Sequence, residues 1–97
     1  MLTKENIVAD LKSNKQLFRD QFGIEEVGLF GSYAREHTSE ASDIDIIVKL
    51  KEPKFSYIAQ LMRFLENHFG KQVHITTKGK HLSARFLSRI EKEVIYV

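Results

Sequence analysis

The chain has 97 residues, of which 42% are hydrophobic and 29% charged, and its formal net charge is +2. This length and balance predict one globular domain over residues 1–97. Cysteine is absent, which excludes disulfide scaffolds, thiolate metal sites and cysteine nucleophiles. Without a long apolar run or a signal-peptide pattern, we expect a soluble, cytoplasmic protein with no membrane partner. The sequence contains no run of five like charges, so we expect no direct nucleic-acid binding.

The first predicted element is a helix that begins after an N-cap at Thr3 and ends at Gly23. Its apolar residues recur at helical spacing. They are Ile7, Val8, Leu11, Phe18 and Phe22. A short strand with Val27, Leu29 and Phe30 follows and runs directly into a Gly-Ser pair.

The middle of the chain alternates between helix and strand. A brief helix over Ser32–Glu36 leads to a polar loop and then to a strand over Asp43–Leu50, which is rich in β-branched residues and stops before Pro53. An amphipathic helix follows between residues 55 and 69, and Gly70 closes it.

The last third of the chain predicts a strand over Gln72–Thr76 and a helix over Ser83–Lys92, with an apolar tail at 94–97 that is either strand or helix end. Helices and strands therefore alternate along the chain. This order predicts an α/β (α+β) fold with a small mixed sheet of three to four strands. We expect helices mainly on one face of the sheet and a partly open second face for a substrate or partner.

The turn between the first strand and the brief helix contains Gly31 and Ser32. At such a turn, free backbone N–H groups favour an anion, and glycine lets a phosphate approach the backbone. A lone Gly-Ser pair is also typical of an ordinary turn with an N-cap. The pair alone does not separate these two interpretations.

Ten residues separate Ser32 from Asp43, and Asp43 and Asp45 occupy alternate positions of the second predicted strand. Carboxylates about 7 Å apart on one strand face can bind one hard cation, Mg²⁺ or Mn²⁺. They are also typical of a wet strand face, where Lys49 and Lys51 could pair with them. The two motifs together favour phosphoryl or nucleotidyl transfer, in which a phosphate cradle lies beside metal ions.

The spacing from Gly31-Ser32 to the two aspartates resembles the signature of nucleotidyltransferases related to DNA polymerase beta. The short chain resembles their minimal branch, and the similarity extends to the leading helix and to residues 90–96. The resemblance implies that Gly31 and Ser32 hold the triphosphate of ATP. It also implies that Asp43 and Asp45 bind the catalytic Mg²⁺ or Mn²⁺.

The resemblance further implies a protein partner. Members of the minimal branch are commonly encoded beside a small helical HEPN-domain protein, typically a ribonuclease toxin, and several transfer AMP from ATP to a tyrosine of that partner. We therefore expect an antitoxin that adenylylates a hydroxyl of a HEPN-type toxin. The alternative is a catalytically degenerate module that neutralises its partner by contact. A homo-oligomer and a hetero-oligomer are both consistent with the sequence.

The third predicted strand departs from the family pattern, because His74 replaces the usual third carboxylate. Alternation places His74 on the same face as the site. It is either an ordinary polar residue, a proton acceptor or Mn²⁺ ligand, or the sign of a site that binds Mg²⁺ weakly and transfers slowly. We therefore expect His74 to be a catalytic residue in a site of impaired activity.

Three further polar residues flank these motifs. Arg35 either contacts phosphate or pairs with Glu36 or another surface acid. Glu36 stands where the family often has glycine. Ser42 either caps a turn, as we expect, or hydrogen-bonds a carboxylate.

Overall fold

A computed structural model describes residues 2–97 of the chain. Five helices and four strands are described, in the order α1 Lys4–Ser13, α2 Lys15–Phe22, β1 Ile24–Phe30, α3 Ser32–Arg35, β2 Ile44–Leu50, α4 Phe55–Phe69, β3 Val73–Thr77, α5 Ala84–Glu91 and β4 Ile95–Tyr96. Within residues 2–97, no helix is both long and apolar enough to cross a bilayer.

The four strands form one mixed sheet in the order β3-β2-β1-β4. Strand β1 is antiparallel to both β2 and β4, whereas β2 and β3 are parallel. A parallel pair needs a long crossover connection, which α4 provides. The register places Asp45 of β2 between Phe30 of β1 and His74 of β3.

The sheet has two different faces. On one, which we call the helix-packed face, Ile44, Ile46 and Val48 of β2 lie in a fully buried core with apolar residues of α1, α2 and α4. On the opposite face, which we call the site face, Ile47 packs against Phe30 and against α5. His74 is exposed on the site face, so α5 leaves that end open. The predicted fold class, with helices mainly on one face, is confirmed.

The prediction of one continuous first helix is wrong, because α1 and α2 are separated at Asn14. The Asn14 side chain donates to the carbonyl of Asp10 at 2.8 Å, and such local bonds compete with helix continuation. The predicted ends are confirmed. Thr3 forms a capping box with Asn6, and Gly23 adopts a left-handed conformation at φ 62°.

Other boundaries differ by one or two residues from those predicted. Strand β2 begins at Ile44, so Asp43 lies in the loop that precedes it. The apolar tail forms β4, and its Tyr96 lies over Gly28 of β1. A Cβ at Gly28 would approach both Tyr96 and Val94 to 2.9 Å. Glycine at this position is therefore what allows the tail to pack against the sheet.

Candidate active site

The Gly-Ser turn touches the second aspartate directly. Gly31 has φ 78° and ψ −155°, a conformation that only glycine adopts readily. A Cβ at this position would collide with the carboxylate of Asp45. Ser32, the first residue of α3, is half-buried beside this contact. The two motifs found in the sequence therefore meet at one place on the site face.

Asp43 and His74 form the second contact of the site. His74 Nε2 lies 2.8 Å from Asp43 Oδ2, and the two side chains are 53% and 40% exposed. Asp43 precedes β2 instead of lying within it. Its contact with His74 still brings it to the site, because the register of β2 and β3 puts His74 opposite Asp45.

Burial raises the pKa of Asp45 above its ordinary value. The neighbouring Asp43 carboxylate raises this pKa further, whereas His74 and Arg35 lower it. Asp43 and Asp45 therefore repel each other when both are charged. A bound cation would offset their repulsion.

The donor set fits a divalent metal ion. Among residues 2–97, no group of three or more His, Asp or Glu side chains is arranged so that it could hold a metal ion. Mg²⁺ does not need such a group, because proteins usually hold it through one or two carboxylates together with waters and substrate phosphates. Asp43 and Asp45 provide such carboxylates. In the described part of the chain, neither Lys49 nor Lys51 forms a salt bridge with them.

An open cleft of about 570 Å³ lies next to Asp45 and Gly31. Arg35 lines this cleft, and its Nη1 lies 2.8 Å from Glu93 Oε2. Of the two alternatives for Arg35, the structure therefore shows pairing with a surface acid, although the partner is Glu93 and not Glu36.

Sequence analysis assigned no role in the site to three charged residues of the cleft wall, which are Arg89, Lys92 and Glu93. They belong to the C-terminal segment, which the pairing of β4 with β1 brings to the site. No local sequence pattern predicts their position at the cleft, because that position depends on which strand the apolar tail joins.

The loop that leads to Asp43 contains a capped turn. The Ser39 N–H donates to Ser42 Oγ at 2.9 Å, and the Ser42 N–H donates to the Ser39 carbonyl at 3.1 Å. The expected turn-capping role of Ser42 is confirmed. Lys71, which sequence analysis also did not single out, donates from Nζ to the carbonyls of Glu40 and Ser42.

Comparison with known proteins places these features in a family. The family model described as polymerase beta nucleotidyltransferase matches residues 12–97. The protein adenylyltransferase MntA of Thermococcus cleftensis is 37% identical over 98 residues, which cover 100% of this chain and 98% of that protein. A candidate protein adenylyltransferase of Methanocaldococcus jannaschii is 36% identical over 100 residues and is covered completely, as is this chain.

Solved structures show the same fold. A structure of a candidate minimal nucleotidyltransferase has a TM-score of 0.80 at 28% identity, and the match covers 97% of this chain and 95% of that one. A crystal structure of a toxin–antitoxin with AMP-PNP has a TM-score of 0.68 at 20% identity, covering 98% and 72% respectively. This second likeness concerns the fold alone. The chain belongs to the polymerase-beta nucleotidyltransferase family, in its minimal branch.

Proposed function

We propose that this protein is a single-domain, metal-dependent nucleotidyltransferase that moves AMP from ATP to a hydroxyl group of a HEPN-type toxin. The observation that supports the proposal is the contact between Gly31 and the Asp45 carboxylate, because a turn suited to phosphate and a carboxylate suited to a metal ion would then act side by side. Two findings support the reaction and the partner. One relative is named a protein adenylyltransferase, and a protein of the same fold was crystallised as a toxin–antitoxin with AMP-PNP.

Each residue of the site has a proposed role. Gly31 and Ser32 bind the triphosphate through backbone N–H groups and the serine hydroxyl. Arg35 leaves Glu93 to neutralise phosphate charge. Asp43 and Asp45 hold Mg²⁺ or Mn²⁺, which when bound neutralises charge on the reacting phosphate.

The transfer forms one bond and breaks one bond. The acceptor hydroxyl oxygen attacks the α-phosphorus of ATP, and the bond from this phosphorus to the bridging oxygen of the β-phosphate breaks, so that pyrophosphate leaves with the bonding electrons. The hydroxyl proton passes to His74. Because Nε2 of His74 faces Asp43 at 2.8 Å, Nδ1 is the ring nitrogen that accepts this proton.

A second function has a specific observation in its favour. His74 stands in place of the usual carboxylate and already pairs with Asp43, which reduces the oxygen ligands available to Mg²⁺. A protein with such a site could neutralise its partner by contact alone. The two functions differ in whether the partner becomes chemically modified.

The deciding experiment is to co-express the chain with the helical protein encoded beside it and to measure the intact mass of the partner. Asp43→Asn is the test variant, because it removes a carboxylate charge with little change in shape. Asp20→Asn is its matched control, because Asp20 lies on α2 and accepts a hydrogen bond from Gln16 on the same helix.

Transfer predicts a partner that is heavier by whole AMP units with the wild type and with Asp20→Asn. The Asp43→Asn variant should still copurify with an unmodified partner. An unmodified partner in all three preparations, with neutralisation intact, would replace the proposed enzyme with the contact-based antitoxin.

A further inference from the structure

Residues 37–43, which lie between the C-cap of α3 at Glu36 and the start of β2, contain no helix or strand and end at Asp43. The shape of this segment therefore depends on side-chain contacts. Inside the segment, Ser39 and Ser42 bond to each other. Among residues 2–97, only two side chains from elsewhere in the fold form hydrogen bonds with it, those of Lys71 and His74.

Lys71 joins the segment at two points. Its Nζ donates to the carbonyl of Glu40 at 2.8 Å and to the carbonyl of Ser42 at 3.0 Å. The ammonium also lies 5.9 Å from the ring centroid of Tyr33, which is buried. Hydrogen bonds from a charged donor are stronger than neutral ones. Two such bonds, to carbonyls two residues apart, fix the turn immediately before Asp43.

The backbone around Lys71 is itself attached to the strand that follows Asp43. The carbonyl of Gln72 accepts a hydrogen bond from the Ile44 N–H at 3.1 Å. On its other side, Lys71 follows Gly70, the residue that ends α4. Asp43 therefore lies between two points held by residues 71 and 72, one through the lysine side chain and one through the backbone.

We propose that Lys71 is a positioning residue for Asp43. Its ammonium holds the 40–42 turn so that the Asp43 carboxylate is presented beside Asp45 in the geometry that metal binding needs. This role rests on the proposed function, in which Asp43 is a metal ligand. Lys71 acts only through backbone carbonyls, and no hydrogen bond joins it to either carboxylate in the described part of the chain. We therefore expect the loss of Lys71 to weaken metal binding, although Lys71 itself does not contact the substrate.

The test compares three variants of the full chain. Lys71→Met keeps the apolar stem and removes the donors, and Lys71→Arg restores donors. Lys12→Met is the matched control, because Lys12 is exposed on α1. The first measurement is hydrogen exchange in metal-free protein at the Ser39 and Ser42 amides, both of which are hydrogen-bonded inside the turn. The second is the affinity for Mn²⁺, measured by titrating the protein with Mn²⁺ and following the concentration of the free ion.

The third measurement is the Mg²⁺ concentration that gives half-maximal transfer to the partner, together with the KM for ATP. With Lys71→Met, we expect exchange at Ser39 and Ser42 to become faster, and exchange in the sheet to stay unchanged. Mn²⁺ affinity should fall, and the Mg²⁺ requirement should rise, by about tenfold, as is typical when a residue that orients a metal ligand is lost. The KM for ATP should not change. Lys71→Arg should restore each value, and Lys12→Met should alter none.

The proposal is overturned if Lys71→Met leaves the two amides and the Mn²⁺ affinity at wild-type values. It is also overturned if exchange increases equally throughout the sheet and Lys71→Arg restores nothing, because that pattern describes a general contribution to stability. If the wild type itself transfers no AMP, the proposed function fails. The exchange and Mn²⁺ measurements still decide the role of Lys71 in that case.

Discussion

Adjacent residues of β2 belong to two surfaces with opposite requirements. On the helix-packed face, Ile44, Ile46 and Val48 are completely excluded from water by α1, α2 and α4. On the site face, Asp45 is half-buried beside Gly31, opposite an exposed His74. Alternation along one strand thus separates the residues that stabilise the fold from those that bind ligand. The comparison explains how so short a chain can place a charged site on its central strand.

The two faces also depend on each other. Asp45 is flanked by Ile44 and Ile46, whose side chains are locked into the core on the opposite face. A strand held in this way cannot shift its register by one residue without moving charge into the core. The packing of the helix-packed face therefore fixes the position of the carboxylate on the site face.

Substitutions at the neighbouring positions Ile46 and Asp45 should differ most in their effects on stability and on AMP transfer. Ile46→Ala leaves a cavity in the core and is expected to lower the free energy of unfolding by about 2–5 kcal/mol, with transfer per folded molecule retained. Asp45→Asn is expected to abolish transfer. At pH 7 in EDTA it should leave the free energy of unfolding unchanged or raise it, because burial disfavours the charged carboxylate. Denaturant unfolding and partner mass together measure both effects.

The sign of the pH dependence follows from the raised pKa of Asp45. An acid with a raised pKa favours folding when protonated, so the cost of its charge is greatest above the folded-state pKa. This cost fades as the pH falls toward the ordinary value of 3.8. Any stability advantage of Asp45→Asn should therefore shrink as the pH is lowered from 7. A large loss of stability at pH 7 would show that the charged form of Asp45 stabilises the fold.

A smaller effect is expected from replacing His74, which would alter the chemistry of the site face without touching the core. His74→Asp supplies a third hard oxygen ligand, and we expect transfer in Mg²⁺ to rise by about tenfold, within the range by which residues around a metal change activity. The gain should be smaller in Mn²⁺, which accepts imidazole more readily. His74→Asn is the control without a new charge. Asp can also accept the hydroxyl proton, so an equal or lower rate for His74→Asp would mean that a carboxylate cannot replace the imidazole in this role or that metal binding does not limit transfer.

Sequence periodicity predicted the parts of the site that obey a simple repeat. Strand alternation was sufficient to place Asp45 and His74 on one face, and the apolar spacing was sufficient to identify as helical the segments that pack on the other, although it joined α1 and α2 into one helix. The Gly-Ser pair predicted a turn between the first strand and the brief helix, and Gly31 forms that turn. These features depend on residues that are close to one another in the chain, so the sequence alone predicts them.

The remaining parts depend on tertiary contacts. Asp43 lies outside β2 and is positioned by His74 and, in our proposal, by Lys71, more than twenty residues away in the chain. Glu93 reaches Arg35 only because the tail joins β1 as β4. The break at Asn14 depends on one side-chain bond to Asp10. Neither hydrophobic period nor residue propensity specifies such partners in advance.

The smallest expected effect concerns a residue that belongs to neither face. Glu36 ends α3 in the left-handed region at φ 61°, and it is the one described residue other than glycine with positive φ. Glycine adopts this conformation without strain, whereas a residue with a Cβ does not. The side chain of Glu36 pairs with Lys4 at 3.2 Å, but it is 60% exposed, and such surface pairs contribute little.

Glu36→Gly should therefore raise the free energy of unfolding, by up to about 1 kcal/mol, because relief of left-handed strain exceeds the entropy that glycine adds to the unfolded chain. Glu36→Ala is the matched control, since it removes the ion pair but keeps the strained backbone, and it should give no gain. Transfer should be the same in both variants, because Glu36 bonds to Lys4 and not to the site. A loss of transfer in Glu36→Gly at higher stability would instead tie the strained turn to the chemistry, and the division between the two faces would then have to include the loop that joins them.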